Sequence, residues 1–296
     1  MLKHYLEQRQ LAGQTHVALR PGTLERLRGF RQPASTRAAP LQRPAEPEAR
    51  LEKAPSTSKA LFEMPAAPAR SPSLKQAAAM IEVPGATKAE KLAALAALAE
   101  QSPQARALGT LRETMVFAVG NPEAEIMLIG EAPGYEEERQ REPFVGPAGQ
   151  KLTGILKAMG LERSDVYISN ICKFRPAMEG SQGTSNRAPN DAEMASCLPY
   201  VLTEIQIIQP KVIVALGGVA CKGLGIGEGV MRLRGRFYEV QGIPTMVTYH
   251  PSYILREEKL AGAGLRAKRE CWEDMLKVME KAGLPISDKQ RGYFKK

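Results

Sequence analysis

Several absences narrow the reading before any motif does. No stretch approaches the roughly 20 consecutive apolar residues that a bilayer-spanning helix requires. Residues 1–10 carry Lys3, Glu7 and Arg9 without an apolar run, so they do not read as a secretory signal. The four cysteines, Cys172, Cys197, Cys221 and Cys271, include no C-x-x-C pair. That argues against a disulfide framework or a zinc site and fits reduced thiols in a cytoplasm. Histidine is scarce, with His4, His16 and His250 the whole supply. Acidic residues are too few to balance the basic ones, 32 against 41, for a net charge of +9 and a pI near 9.4. An excess of that size points to a polyanionic partner, nucleic acid before acidic membrane, or to a basic protein with no such partner.

What is present divides the chain in two. Residues 1–85 hold nearly half of the prolines, mixed with Ala, Ser and Arg, and carry 13 Lys/Arg against 7 Asp/Glu. Such a composition buries too little apolar surface to offset its ordering entropy. It reads as a disordered basic tail, either a non-specific hold on DNA or a solubilising linker. Leu2, Tyr5, Leu6, Leu24, Leu27 and Phe30 could form a short helix for a protein partner.

The folded domain is expected over 86–296. Thr87 and Glu90 have capping-box spacing ahead of Leu92, Leu95 and Leu98. Residues 125–130, 165–170, 211–216 and 245–249 read as strands, the last entered through a hairpin segment over 230–249 that turns at Gln241-Gly242. Helices are expected over 147–160, opening at Pro147, from Asn190 with Glu193 at cap spacing, and over 265–282. Apolar strands alternating with helices predict an α/β fold of three α/β/α layers around a mainly parallel, four-stranded sheet. The ligand site of such a fold lies just beyond the carboxyl ends of the strands.

Those ends are distinctive. The first runs into Gly-Glu-Ala-Pro-Gly-Tyr-Glu-Glu-Glu at 130–138 and then Pro-Phe-Val-Gly-Pro-Ala-Gly at 143–149. Phe144 in that loop is either a core plug or a stacking surface. The second ends in Asn-Ile-Cys-Lys-Phe-Arg-Pro at 170–176, where Asn170 either caps a loop or reads a base edge. The last ends in His-Pro-Ser-Tyr at 250–253.

These segments, with Arg-Gly-Arg-Phe-Tyr-Glu at 234–239, resemble in order the uracil-DNA glycosylase superfamily, and within it the family 4 iron–sulfur enzymes of bacteria and archaea. The resemblance runs from about residue 90 to 282. It implies that DNA containing uracil is the partner and that the reaction is hydrolysis of the N-glycosidic bond, leaving an abasic site. Phe144 would stack on the extruded uracil, with Gly130 and Gly134 shaping the pocket. Asn170 would hydrogen-bond the uracil edge. His250, with Ser252 beside it, would donate to the oxygen that gains charge as the bond breaks. Glu131 and Ala132 lie where the superfamily holds the hydrolytic water, and Glu137 is a further acidic candidate. Lys173, Arg175, Arg234, Arg236 and Arg256 are candidate phosphate contacts, each also readable as a solvated basic surface.

The resemblance breaks at the cluster. Of the four iron–sulfur ligand positions, only Cys197 is matched. Pro103 and Arg106 stand at the first two and Phe174 at the third. No 4Fe–4S cluster and no other metal or cofactor is therefore expected. No lysine stands as an evident Schiff-base nucleophile, and no extra histidine precedes the Arg-Gly motif, so simple hydrolysis without a stable adduct is implied. Two alternatives stay open: a pocket for another deaminated base such as hypoxanthine, and a DNA-binding scaffold that has lost catalysis. A monomer in the cytoplasm, near the nucleoid, is expected.

Overall fold

A computed structural model describes residues 80–260, 262 and 264–294. The basic tail and its proposed contacts lie almost wholly outside the described residues. The frame is a sheet built from short, wholly apolar runs. Strands β3 (Ile126–Gly130) and β6 (Val212–Leu216) are buried at every position. Together with β4 (Tyr167–Asn170) and β8 (Ile243–Thr248) they form four parallel central strands, because runs buried on both faces need helices on both sides.

The expected four-stranded sheet is six-stranded. A short strand β2 (Ala118–Gly120) pairs antiparallel with β4, and β7 (Phe237–Val240) pairs antiparallel with β8, giving the order β2-β4-β3-β6-β8-β7. Both additions are edge strands, partly exposed and short, so neither carries the apolar run that marks the others. The hairpin turns at Gln241 and Gly242, both with positive φ (51° and 79°), as a two-residue turn matching strand twist requires. Its first strand starts later than expected, because 230–233 winds into a helical turn. A separate ribbon pairs β1 (Leu111–Met115) with β5 (Phe174–Pro176).

Alternation sends side chains of one strand to opposite layers. Met127 and Ile129 meet the core formed with α5 (Asp191–Ile208). Ile126 and Leu128 meet the core formed with α4 (Pro147–Met159) and α9 (Leu265–Ala282). Helix α1 (Lys88–Glu100) starts at the Thr87/Glu90 capping box and α5 at the Asn190/Glu193 box. Ahead of α1, Ile81 N–H donates to Thr203 Oγ1 at 3.0 Å, so the domain's contacts begin before residue 86. The remaining helices are short: α2 (Pro103–Ala107), α3 (Tyr135–Gln140), α6 (Gly218–Gly223), α7 (Val230–Leu233), α8 (Pro251–Glu258) and α10 (Asp288–Arg291). Among the described residues, no helix is long and apolar enough to cross a membrane. All four parallel strands end on one side, at Gly130, Asn170, Leu216 and Thr248.

Candidate active site

At those four strand ends a cleft of about 1110 Å³ opens. Glu131, Ala132, Gly134, Glu137, Phe144, Asn170, His250, Ser252 and Arg256 all line it, together with Gly217 from the end of β6. Gly130, at the end of β3, does not line it but packs against two residues that do. A Cβ there would sit 2.4 Å from both Asn170 Oδ1 and the Phe144 ring, so only glycine lets those two side chains meet over the strand end. Gly217 (φ +91°) does the same for the histidine, since its Cβ would lie 2.8 Å from that of His250.

Phe144 is held rather than merely placed. It adopts a left-handed backbone (φ +57°), which costs a non-glycine residue about 1 kcal/mol or more and needs surrounding contacts to persist. Arg163 supplies them from one side, donating to the carbonyls of Phe144 (2.9 Å) and Pro143 (2.8 Å). Glu137 supplies them from the other: its Oε1 accepts Val145 N–H (3.0 Å) and Gly146 N–H (2.8 Å), and its Oε2 accepts Gly134 N–H (3.2 Å). Both Glu137 oxygens are thus committed to the loop. This side chain, expected as an acidic catalytic candidate, instead fixes the aromatic.

His250 caps α8. Its Nδ1 accepts Ser252 N–H at 3.2 Å, with Ser252 Oγ at 2.8 Å. A backbone N–H cannot turn away, so Nδ1 is the unprotonated nitrogen and the ring proton sits on Nε2. Burial, and then the charge of Arg256, lower the His250 pKa to about 4, so the ring is neutral at physiological pH. Its centroid lies 5.7 Å from that of Phe144. Asn170 is only 2% exposed, yet its amide makes no hydrogen bond among the described residues. The little surface it retains opens on the cleft. Glu131 has its pKa raised by burial, an effect partly opposed by Arg256. The site therefore offers an aromatic face, an unpaired amide, a neutral N–H donor and a carboxyl group within one concavity.

The basic residues separate. Arg256 is exposed on the cleft wall and in no ion pair among the described residues. Arg236 is exposed but lies outside the cleft. The other three are turned to partners within the protein, Lys173 and Arg175 buried and Arg234 partly exposed. Lys173 is 0% exposed and donates to Glu204 (2.8 Å to each oxygen) and Ser169 Oγ (2.6 Å). Arg175 is 1% exposed and bonded to Glu138, Asn186 and the carbonyls of Gly183 and Ser185. Arg234 chelates Asp274 and donates to Glu270 O. Each is held by acidic or carbonyl partners inside the protein, and none lines the cleft. Sequence reading missed Gly217 and Gly218, although they directly follow β6, where the strand-end rule pointed. It also missed Asn186 and Arg187, which reach the cleft from the loop after β5, a strand of the separate ribbon and not of the parallel sheet.

The residues do not fit an iron–sulfur cluster. Phe174 is buried in the ribbon, Pro103 and Arg106 lie exposed on α2, and Cys197 sits in the apolar core with Cys172 and Cys221. Cys271 is in the core on the other face of the sheet. Among the described residues, no three His, Cys, Asp or Glu side chains gather where they could hold a metal ion.

Comparison with known proteins agrees with the geometry. Residues 117–276 match the family model of the Uracil DNA glycosylase superfamily. The chain is 38% identical over 160 residues to a type-4 uracil-DNA glycosylase of Pyrobaculum aerophilum, covering 51% of this chain and 78% of that one. It is 40% identical over 148 residues to one of Thermotoga maritima, covering 49% and 73%. With one of Archaeoglobus fulgidus it shares 36% over 177 residues, covering 57% and 82%.

Proposed function

We propose, since the chain belongs to the uracil DNA glycosylase superfamily, that it hydrolyses the N-glycosidic bond of uracil in DNA and leaves an abasic site. One observation carries the reading. Asn170 is only 2% exposed, and its amide has no protein partner among the described residues; its polar atoms are not sealed but open into the same cleft as Phe144 and the Nε2–H of His250. An amide held in this way is free to pair with the edge of a ligand.

The steps follow from the groups. The uracil leaves the base stack and lies against Phe144, which supplies roughly 1–3 kcal/mol of stacking. Asn170 donates and accepts along the uracil edge, a pattern that cytosine's exchanged donor and acceptor cannot satisfy. As the bond between the sugar C1′ and the base N1 breaks, the electron pair moves onto the base and its negative charge spreads to a carbonyl oxygen. His250, neutral and donating through Nε2, stabilises that oxygen without a full proton transfer. Water adds its oxygen to C1′ and loses a proton, and the departing uracil anion takes one up, so that neutral uracil and an abasic sugar result. Glu131 is the group placed to orient that water and offset the cationic sugar, beside Ala132. Arg256 contacts phosphate at the cleft wall, and Ser252 holds the histidine tautomer. Among the described residues no lysine lines the cleft, so a Schiff base and strand cleavage are not expected.

On this reading the protein works as a monomer without a 4Fe–4S cluster, and Phe174 fills part of the volume with apolar packing. Residues 1–85 add a basic hold on DNA or a site for a protein partner. The test is a single-stranded oligonucleotide with one uracil, treated with alkali after incubation, and a hypoxanthine oligonucleotide in parallel. Cutting at uracil is expected. Cutting at hypoxanthine alone would reassign the base, and DNA binding without cutting at either would favour the scaffold.

A further inference from the structure

The loop between β5 and α5 brings a polar residue to the cleft that the mechanism above does not use. Asn186 is exposed and lines the cleft near Gly134. Its amide is not free to turn. Oδ1 accepts a hydrogen bond from Arg175 Nε at 2.9 Å. Reversing the amide would set its NH2 group against a guanidinium, donor against donor. Arg175 is itself immobile: it is 1% exposed, donates to Glu138 (2.9 Å), and ties down the carbonyls of Gly183 (3.0 Å) and Ser185 (2.7 Å) on either side of the loop. The NH2 group of Asn186 therefore faces the Gly134 side, where Nδ2 lies 3.0 Å from the point a Cβ on Gly134 would occupy. It donates to no protein group among the described residues. The neighbouring Arg187 has no such spare donor. Its guanidinium is spent on Glu193 and on the carbonyls of Thr110, Ala177 and Ala188.

We propose that Asn186 is a DNA-contacting residue whose fixed NH2 group donates to a backbone phosphate oxygen beside the extruded nucleotide, with Arg175 as its positioning residue. The inference rests on the glycosylase reading. The base-reading groups, Phe144 and Asn170, are 6% and 2% exposed and lie deep in the cleft. An exposed donor on the same cleft meets what stays outside when a base is inserted, which is the sugar–phosphate backbone. Arg232 and Arg256 are exposed on the same cleft and are charged phosphate contacts available there. A rigid, neutral donor adds positional definition to them without adding to salt dependence.

Asn186→Asp is the sharpest variant, because the aspartate keeps an acceptor for Arg175 while turning the donor into a charged acceptor. Asn186→Ala removes both. Steady-state kinetics on a single-stranded uracil oligonucleotide should show KM raised about tenfold or more in Asn186→Asp and somewhat less in Asn186→Ala. Turnover at saturation should stay within about twofold, and inhibition by free uracil should be unchanged. An unchanged KM in Asn186→Asp would overturn the proposal. A parallel loss of uracil inhibition would overturn it too, because the amide would then be reading the base. If the wild-type protein excises no uracil, the glycosylase reading fails separately. Binding of an oligonucleotide with a tetrahydrofuran abasic site then decides the contact, with binding about tenfold weaker in Asn186→Asp supporting it and equal binding overturning it.

Discussion

Two polar clusters, each with a member in the 169–173 segment, differ in how completely their hydrogen bonds are met. The first joins Lys173, Glu204 and Ser169 beneath the sheet. Glu204 takes Lys173 on both oxygens and Ser169 Oγ at 2.7 Å, and both charged side chains are wholly buried. The second comprises Asn170, His250 and Glu131 at the strand ends, where the Asn170 amide has no protein partner. The closed cluster is a structural brace, complete in itself. The open one is unfinished until a ligand arrives. The difference shows that charge near a strand end does not by itself identify a working group. An unpartnered polar side chain opening onto a cleft does.

Breaking the closed cluster should produce the largest effect. Lys173→Met strands the Glu204 carboxyl group in an apolar layer and should cost about 3–5 kcal/mol of stability in urea unfolding. The double variant Lys173→Met/Glu204→Leu should recover most of that loss. If the single variant unfolds no more easily than the wild type, the brace reading is wrong. In the open cluster the balance is reversed. Asn170→Ala and His250→Ala should each lower single-turnover excision by about 10²–10³-fold, while urea midpoints move little. A large stability loss in Asn170→Ala would mean that its amide has a structural partner after all.

The pH profile sharpens the contrast within the cleft. Burial raises the Glu131 pKa above the ordinary 4.5, whereas the His250 pKa is lowered to about 4. A carboxylate that must be ionised loses function as pH falls through its raised pKa. The acid limb of excision should therefore lie above pH 4.5 and flatten in Glu131→Gln. His250 stays neutral above about pH 5 and should add no inflection near 6.5. An acid limb that survives in Glu131→Gln but vanishes in His250→Gln would reverse the assignment.

The smallest effect separates the basic residues. Arg256→Gln should lower the slope of log KM against log salt concentration by about 0.7 on single strands, the loss of one phosphate contact. Arg234→Gln should leave that slope intact and lower stability instead, because its guanidinium is paired with Asp274 and does not line the cleft. Equal slopes in all the variants would remove Arg256 from the interface.

Much of this was legible in the sequence. The central strands announced themselves as apolar runs, the capping boxes at Thr87 and Asn190 placed two helices, and the strand-end rule found Glu131, Asn170 and His250. The edge strands β2 and β7 were harder because partly exposed strands lack an apolar signature; β7 showed only through its turn. The basic residues were misread for a different reason. Lys173 and Arg175 stand in a motif beside Asn170, but alternation along the chain and the acids opposite them, Glu204 and Glu138, decide whether they face solvent. Those acids lie 31 and 37 residues away. Asn186 left no sequence signal, since its orientation is set by Arg175 through the fold.

The central claim is that this cleft excises uracil without an iron–sulfur cluster. The most direct measurement is single-turnover release of uracil from a single-stranded oligonucleotide by the full chain, with iron and acid-labile sulfide assayed in the same preparation. The account predicts excision with iron far below one atom per chain, and loss of excision in Asn170→Ala and His250→Ala. Iron near four atoms per chain, or excision unaffected by either substitution, would contradict it.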